Sequence, residues 1–410
     1  MVPMTASARL DLPPAARPTA DGASPTITRL AAAMLGLLPF STDVYLTAMV
    51  DLGRDFGVEV AGVQRTMLAF TFGFALAHLF LGRLADRHGR RPVAIGGTAV
   101  YLVAAIVAIT SPSLDLLVIA RFVQGGAAAT GPIVARTLIR DTVPPEHGGR
   151  ALAKVGALFG VAPIAAPFVG TLASGLAGWR GALGTLVIYA VVLLATLLLR
   201  LPETRPTHLH GADRVSIVKA LGHFCRTRAF VVGCLAVGTG YGALYSWLTT
   251  SAFLMVGRLG YSKVEASWVY TAGAVGFLVG GMIAMRLARH MPPQRVLRIA
   301  AVAMIVGTAA PLALVLAGAA HWLALLVLLV PYYIGWGLAQ PMATAIGMRP
   351  FPEMAGQASA WIGIAQQVGG MGFAVVAAGL GGDAATLAVM VVAAVSFTAA
   401  VFSPAARPAA

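Results

Sequence analysis

The hydrophobic residues of this chain lie in long continuous runs that are separated by short polar stretches. Each run is about 20 residues long, which is the length of an α-helix that crosses the hydrocarbon core of a bilayer. Apolar runs of this length predict helices that are buried in lipid. We predict twelve such helices, at about residues 27–49, 63–84, 92–110, 114–137, 152–173, 181–200, 229–252, 266–288, 295–317, 320–341, 356–378 and 384–403.

The longest polar interruption, at about Leu201–Phe224, follows the sixth run and divides the chain into two halves. A faint repeat supports this division, because G-R-L-A-D-R at 82–87 is similar to M-R-L-A-R-H at 285–290. Two six-helix repeats that rock around a central cavity are a known plan for membrane transporters. The predicted domains are a disordered cytoplasmic tail at 1–25, a six-helix half at 26–201, a cytoplasmic linker at 202–224, a second six-helix half at 225–404 and a cytoplasmic tail at 405–410.

Composition and charge agree with a membrane protein. Hydrophobic residues make up 58% of the chain and charged residues only 11%, which is outside the range of a soluble protein. Most of the 29 Lys and Arg residues fall on the side of the predicted membrane that holds both termini, so the positive-inside rule predicts cytoplasmic termini. The net charge of +14 then reflects topology, and we predict no nucleic-acid partner because no domain could build a folded basic surface.

A charged loop between the second and third predicted helices has the sequence G-R-L-A-D-R-H-G-R-R-P at 82–92. Its glycine, Gly89, permits a tight turn that brings Asp86 close to several arginines. Ion pairs at the lipid–water boundary can hold one conformation and release it when the helices part. The alternative is a solvated basic cluster that only sets the topology. The residues of the predicted conformational latch are Gly82, Asp86, Arg87, Gly89, Arg90 and Arg91.

This loop resembles the G-x-L-[AS]-D-R-x-G-R-[RK]-P motif of the major facilitator superfamily, in which proline is common at the position of Arg83. Arg121, followed by Gln124 and Gly125, is similar to the fourth-helix motif of that superfamily. The resemblance implies the major facilitator fold, an all-α membrane protein of twelve transmembrane helices in two pseudo-symmetric six-helix halves.

The fifth predicted helix resembles the antiporter motif that exporters of this superfamily carry. Alanine stands at 166, where glycine usually precedes the proline, and Thr171 replaces a second glycine. Glycine and proline are common in membrane helices, and here they predict a helix that bends and packs closely against its neighbours. The antiporter-helix residues are Gly160, Pro163, Pro167 and Gly170.

Of the 15 acidic residues, only Asp43 is predicted to lie well inside the membrane, toward the periplasmic end of the first helix. Surroundings of low dielectric destabilise the ionised form of a carboxyl group, so Asp43 can take up a proton on one side and release it on the other. The alternative is an aspartate that only caps the helix at the membrane surface. We predict that Asp43 couples transport to protons.

Two further polar side chains are predicted inside the membrane. Burying the charge of Arg121 there costs several kilocalories per mole unless the side chain contacts a partner or water. Arg121 would favour the ionised form of Asp43 if both side chains faced one cavity. Snorkelling to the membrane surface is the alternative for Arg121. His78 can titrate near neutrality and provide a second proton site, or it can simply pack through a hydrogen bond. The predicted proton-coupling residues are thus Asp43, Arg121 and His78.

The segment F-S-T-D-V-Y-L at 40–46 resembles the first-helix motif of the bicyclomycin and chloramphenicol resistance branch, the Bcr/CflA type of drug:proton antiporters. That branch usually continues Leu-Pro-Ala, and Thr47 stands here in place of the proline. The resemblance covers about residues 26–378. It implies a monomeric protein of the bacterial inner membrane that exports drug-like, largely apolar molecules of the chloramphenicol and bicyclomycin class in exchange for protons, without a metal or cofactor.

Aromatic and amide side chains in the predicted helices can offer stacking surfaces and hydrogen bonds to a substrate, although each can also serve ordinary packing. The alternative function is a carrier for a metabolite such as a sugar or amino acid. An intramembrane enzyme is not predicted, because neither H-E-x-x-H nor G-x-S-x-G occurs in the sequence. The sequence motifs leave a receptor that does not transport a substrate as a further alternative. The predicted cavity residues are Tyr45, Phe74, Tyr241, Tyr245, Trp247, Tyr332, Trp336, Gln340 and Gln366.

Overall fold

A computed structural model describes residues 24–143, 147, 151, 154–156, 158–204, 217–351, 354–380 and 384–403. Every element in these ranges is helical. The helices are α1 (Pro25–Asp43), α2 (Met49–Phe56), α3 (Val60–His88), α4 (Arg90–Thr110), α5 (Leu114–Ala128), α6 (Thr130–Thr142), α7 (Val161–Arg200), α8 (Ile217–Phe224), α9 (Arg228–Ala252), α10 (Lys263–Leu287), α11 (Pro293–Leu316), α12 (Trp322–Met348), α13 (Ala355–Leu380) and α14 (Ala385–Phe402), with a 3-10 turn at Leu46–Ala48 and a π-helical turn at Phe253–Arg258.

Eleven stretches of the described chain are long and apolar enough to cross a membrane. The longest of them, Lys154–Arg200, contains two crossings, because the backbone leaves the helical conformation at Ala177 and Gly178 inside α7. The described residues therefore form twelve membrane-crossing segments. The prediction of an all-α membrane protein with twelve transmembrane helices is confirmed.

The first crossing is longer than predicted and is broken. It runs through α1, the 3-10 turn and α2 to Phe56, whereas the sequence pattern predicted an end near residue 49. Pro39 lacks an N–H group, and the side chains of Ser41 and Thr42 bond back to backbone carbonyl groups of the preceding turn. Such bonds bend helices, so the local sequence itself explains the break after Asp43.

The predicted linker is partly helical, because α8 occupies its last eight residues. Residues 205–216 lie outside the described residues, as do residues 1–23 of the N-terminal tail predicted at 1–25 and the whole C-terminal tail predicted at 405–410. Helix α1 begins at Pro25, and Ser24 caps it by accepting a hydrogen bond from the Ile27 backbone N–H. The start of α1 and the end of α14 lie with the 82–92 loop on one side of the bundle, here called the motif face. The opposite side is called the far face.

Helices α1–α7 form the N-terminal half and α9–α14 the C-terminal half. The halves meet along two helix pairs, α7 with α10 and α3 with α13. Close approach within a half depends on small residues. Gly170 of α7 is one of these, because a Cβ atom there would overlap the backbone carbonyl of Val44 at the break in the first crossing. This contact holds the segment after Asp43 against α7.

Candidate functional site

A cavity of about 820 Å³ lies between the two halves and reaches the motif face. Helices α1, α3 and α6 line it from the N-terminal half, and α9, α12 and α13 line it from the C-terminal half. Cavities of this size accommodate drug-sized molecules. Five side chains that the sequence predicted for the cavity or for proton coupling line it, namely Phe74, His78, Tyr241, Gln340 and Gln366.

The other five aromatic residues predicted for the cavity are packed inside the protein in this conformation. Tyr45, Tyr245, Trp247, Tyr332 and Trp336 are at most 1% exposed and do not line the cavity. Three of them bond to neighbouring groups: Tyr45 pairs with the Thr66 hydroxyl at 2.7 Å, Tyr245 donates to the Met67 carbonyl at 2.8 Å, and Tyr332 donates to the Gly240 carbonyl at 2.9 Å. Two of the five, Tyr245 and Trp336, pack against the ring of Tyr241, which lines the cavity.

The cavity also holds polar side chains that the sequence analysis did not assign to it. Arg83 and Asp86 lie at its rim, and Arg136 and Arg140 project from α6. Arg136 and Arg140 are four residues apart and therefore share one helix face, which was a usable signal. The sequence analysis assigned both only to the basic side of the membrane. On the opposite wall, the side chains of Gln340 and Gln366 are joined by a hydrogen bond of 3.3 Å.

Asp43 lies at the end of α1 and is partly buried. Its Oδ1 accepts a hydrogen bond of 2.7 Å from the Thr42 hydroxyl. It also interacts electrostatically with three tyrosines of the C-terminal half, Tyr241, Tyr270 and Tyr333. Asp43 itself does not line the cavity, but its charge acts on Tyr241, which does. The acid is therefore close enough to the C-terminal half for its charge to act on groups there.

Arg121 is completely buried beside the first crossing. Its guanidinium donates to Gln124 Oε1 at 2.7 Å and to the Ser41 carbonyl at 3.0 Å. The rings of Tyr45 and Phe70 stack on it, with centroids 4.9 and 4.4 Å from Cζ. Arg121 therefore does not snorkel, and it forms no ion pair with Asp43. It instead fixes the backbone two residues before the acid.

His78 lines the cavity on α3, where its Nδ1 is 2.9 Å from the Phe74 carbonyl and its ring packs against the Phe74 ring at 4.5 Å. Arg136 of α6 is close enough to act on it electrostatically. His78 and Asp43 thus lie on different helices of the same half, and no hydrogen bond joins them. Of the two, only His78 lines the cavity.

The 82–92 loop is organised around Arg90, whose side chain is completely buried. Its Nε donates to Asp141 Oδ2 at 2.7 Å, its Nη1 donates to the Ala85 carbonyl at 3.1 Å, and Asp86 lies within 3.3 Å. Glu203 accepts from the Arg90 backbone N–H at 2.9 Å and therefore caps α4. These contacts all lie within the N-terminal half.

Gly89 adopts a φ of 102°, which side chains other than glycine rarely tolerate, and Glu203 occupies the space where its Cβ would be. Arg87 is exposed, and Gly82 lies at the cavity rim. Arg91 is exposed and donates from its backbone to Glu203. Sequence analysis missed Asp141 and Glu203 as partners, because they are distant in the chain and only the fold brings them to the loop.

Helix α7 carries the antiporter-motif residues to the contact between the halves. Gly160 faces Leu278 of α10, whose side chain fills the space a Cβ would need. The Pro167 carbonyl accepts a hydrogen bond of 3.2 Å from the Ser267 hydroxyl of α10. Pro163 lies in the first turn of α7, and Gly170 contacts the break in the first crossing. This helix thus touches both the other half and the segment that carries Asp43.

Polar contacts between the halves close the far face. Gln64 of α3 donates to the Thr249 hydroxyl at 3.0 Å and to the Ala374 carbonyl at 2.7 Å. Lys263 of α10 forms an ion pair with Asp51 of α2. The cavity is therefore open toward the motif face and closed toward the far face, which is one end state of alternating access.

Reversing the charge of Lys263 is expected to weaken this closure. Lys263→Glu places two carboxylates together, and the lost pair corresponds to roughly 1 kcal/mol, or about fivefold in the population of the open far face. The reporter is Ser174→Cys in a Cys225→Ser/Cys234→Ser background, because Ser174 is buried under the pair, 3.4 Å from Lys263 Nζ. Its labelling by a maleimide should accelerate accordingly.

The charge swap Asp51→Lys/Lys263→Glu is the matched control and should return labelling to the original rate. Unchanged labelling of the single Lys263→Glu variant would show that the ion pair does not contribute to closure.

Comparisons with known proteins agree with this architecture. The model of the Major Facilitator Superfamily matches residues 31–374. Multidrug resistance protein D of Escherichia coli (strain K12) is 29% identical over 338 residues, which is 80% of this chain and 82% of that protein. Multidrug resistance protein MdtL of Escherichia coli O81 (strain ED1a) is 28% identical over 341 residues, covering 82% of this chain and 84% of that protein.

Among solved structures, a D-xylose-proton symporter is similar with a TM-score of 0.73 and 15% identity, covering 91% of this chain and 96% of the other. A bacterial homologue of the human lysosomal transporter Spinster, in an inward-facing conformation, gives a TM-score of 0.69 at 15% identity, covering 92% and 96%. These two likenesses concern the fold alone. With the match to the family model over most of its length, the chain belongs to the major facilitator superfamily.

Proposed function

We propose that this protein exports drug-like, largely apolar small molecules of the chloramphenicol and bicyclomycin class in exchange for protons. The observation that carries the proposal is a drug-sized cavity between the halves together with a partly buried acid, Asp43, whose charge acts on Tyr241 of the cavity lining. The names of the two Escherichia coli relatives, both multidrug resistance proteins, support drug export in general.

The motif face is the cytoplasmic face in this proposal, and the protein works as a monomer in the bacterial inner membrane. The concentration of arginine on that face supports the orientation. The cavity then opens to the cytoplasm, where it takes up substrate, while the contacts of Gln64 and Lys263 seal the periplasmic side. Proton binding on the periplasmic side and release on the cytoplasmic side complete the exchange.

Asp43 carries the proton in this scheme. Arg121 positions it through the Ser41 carbonyl, and His78 provides a second group that can exchange protons with the cavity. Because the charge of Asp43 acts on tyrosines of the C-terminal half, a change in that charge alters the electrostatic interaction between the halves. That link between protonation and the position of the halves is what coupling requires.

The 82–92 loop acts as a conformational latch in the same scheme. Asp86 lies both at the cavity rim and beside the buried Arg90. When the halves close the motif face, the rim moves against the C-terminal half, and the network of Arg90 keeps the loop in one rigid arrangement during that movement.

A metabolite carrier is the second candidate, favoured by the polar part of the cavity lining. Arg136, Gln340, Gln366 and Gln367 could hydrogen-bond a sugar or an amino acid.

Reconstitution of the full chain in proteoliposomes with an imposed pH gradient tests both functions. Chloramphenicol and bicyclomycin are expected to accumulate against their gradients and to cause a counterflow of protons, whereas sugars and amino acids are not. Proton-coupled flux of a sugar or an amino acid, without flux of either drug, would contradict drug export and establish the protein as a metabolite carrier. An absence of any proton-linked flux across the panel would contradict both.

A further inference from the structure

A second, lateral groove lies on the outside of the bundle, between α1 and the part of α7 that forms the sixth crossing. Its volume is about 870 Å³. It is separate from the central cavity, with which it shares no lining residue. Aliphatic side chains such as Leu30, Ile188 and Val192 make up half of its lining residues.

Two arginines lie at the motif-face end of this groove, one on each wall. Arg29 belongs to the second turn of α1, and Arg200 is the last residue of α7. Both are exposed, and neither forms a hydrogen bond or an ion pair within the described ranges of the chain. Glu203, the nearest acid to Arg200 along the chain, is engaged by the backbone N–H groups at the start of α4. Among the residues that the structure describes, no acid therefore compensates the charge of these two arginines.

The groove is preformed. Its floor is fixed by Tyr189, which donates to the Ala33 carbonyl at 2.6 Å and stacks on Phe40 with ring centroids 5.1 Å apart. From Arg200 to Thr185 the groove follows 15 residues of helix, or about 22 Å. One leaflet of hydrocarbon is about 15 Å thick, so the groove extends from the head-group region through the apolar part of one leaflet.

We infer that this groove binds one anionic phospholipid, with its phosphate between Arg29 and Arg200 and an acyl chain along the aliphatic walls. Guanidinium groups recognise phosphate through paired hydrogen bonds, and basic pockets between membrane helices select anionic head groups. The aliphatic length of the groove distinguishes a lipid from a free phosphate, which would use only the two arginines. The inference does not depend on the transported substrate, because it concerns a different surface.

The test is native mass spectrometry of the full chain taken from an equimolar mixture of phosphatidylglycerol and phosphatidylethanolamine with identical acyl chains. We expect phosphatidylglycerol to be retained selectively. Arg29→Gln/Arg200→Gln should lower that selectivity by roughly tenfold. The matched control is Arg286→Gln/Arg289→Gln, which removes two exposed charges from the same face away from the groove. This control should keep the selectivity for phosphatidylglycerol.

A third variant, Ile188→Trp, fills the groove without changing charge and should weaken retention of both lipids. Equal selectivity in Arg29→Gln/Arg200→Gln and its control would overturn the inference, as would an original protein without preference for phosphatidylglycerol. Displacement of the bound lipid by inorganic phosphate alone would also overturn it, because the acyl chain would then contribute nothing.

Discussion

Asp43→Asn is expected to abolish proton-driven transport while the protein still folds. The amide has the size of the carboxyl group, and its NH₂ or oxygen can still pair with the Thr42 hydroxyl, but it cannot take up and release a proton. Substrate-induced proton release and uphill accumulation in proteoliposomes should fall to the level of empty liposomes. Downhill exchange of substrate should persist, because the cavity wall is unchanged.

Asp115→Asn is the matched control for this experiment. Asp115 is 77% exposed at the far face, where it pairs with Arg65 at 2.7 Å, and its loss should leave transport unchanged. Uphill transport by Asp43→Asn at the original rate would remove Asp43 from the coupling scheme. Loss of downhill exchange as well would assign it a role in substrate binding instead.

Arg90→Leu is expected to give the largest loss of stability among the variants considered. Arg90 is the principal partner of Asp141, whose side chain is only 4% exposed. Without Arg90, Asp141 would keep only the exposed Arg140, 3.4 Å away, and removing the main partner of a buried ion pair costs roughly 3–5 kcal/mol. The melting temperature of the purified protein, followed by intrinsic fluorescence in detergent, should fall by several degrees.

The double variant Arg90→Leu/Asp141→Leu should recover most of this loss, because it removes both charges. Arg91→Leu removes the neighbouring, exposed arginine and is the control, for which little change is expected. If the double variant were as unstable as Arg90→Leu, the cost would come from lost packing around residue 90 and not from the charge of Asp141.

Hydrophobic run length alone determined the class of this protein. A segment of about 20 apolar residues is most favourable as a helix across the bilayer. Its side chains are then in hydrocarbon, and its backbone groups form hydrogen bonds within the helix because no water is present. The sequence therefore predicts twelve crossings without reference to tertiary contacts. It placed the end of the first crossing too early, since the charged segment at 51–56 resembles a loop by composition and is held in the bundle by hydrogen bonds from α7 to Asp55.

The local motifs likewise identified single residues but not their partners. The 82–92 loop is recognisable from the spacing of its acid, glycine and arginines. Arg121 is recognisable because it lies inside an apolar run. Asp141 and Glu203, which bond to Arg90, are 51 and 113 residues away in sequence. No local pattern encodes a contact at such separation.

Which aromatic residues face the cavity was decided by the tertiary structure. Tyr241 and Tyr245 are four residues apart on α9 and share one side of it, yet Tyr241 lines the cavity and Tyr245 is buried against α3. The two tyrosines differ because of the position at which the other half packs. That position cannot be read from the hydrophobicity of the sequence. The sequence by itself determined a twelve-helix membrane protein and predicted Asp43 as its one acid well inside the membrane. The packing of the halves decided that the charge of Asp43 acts on tyrosines of the other half and that the cavity is open on one side, because only contacts between distant helices define a cavity.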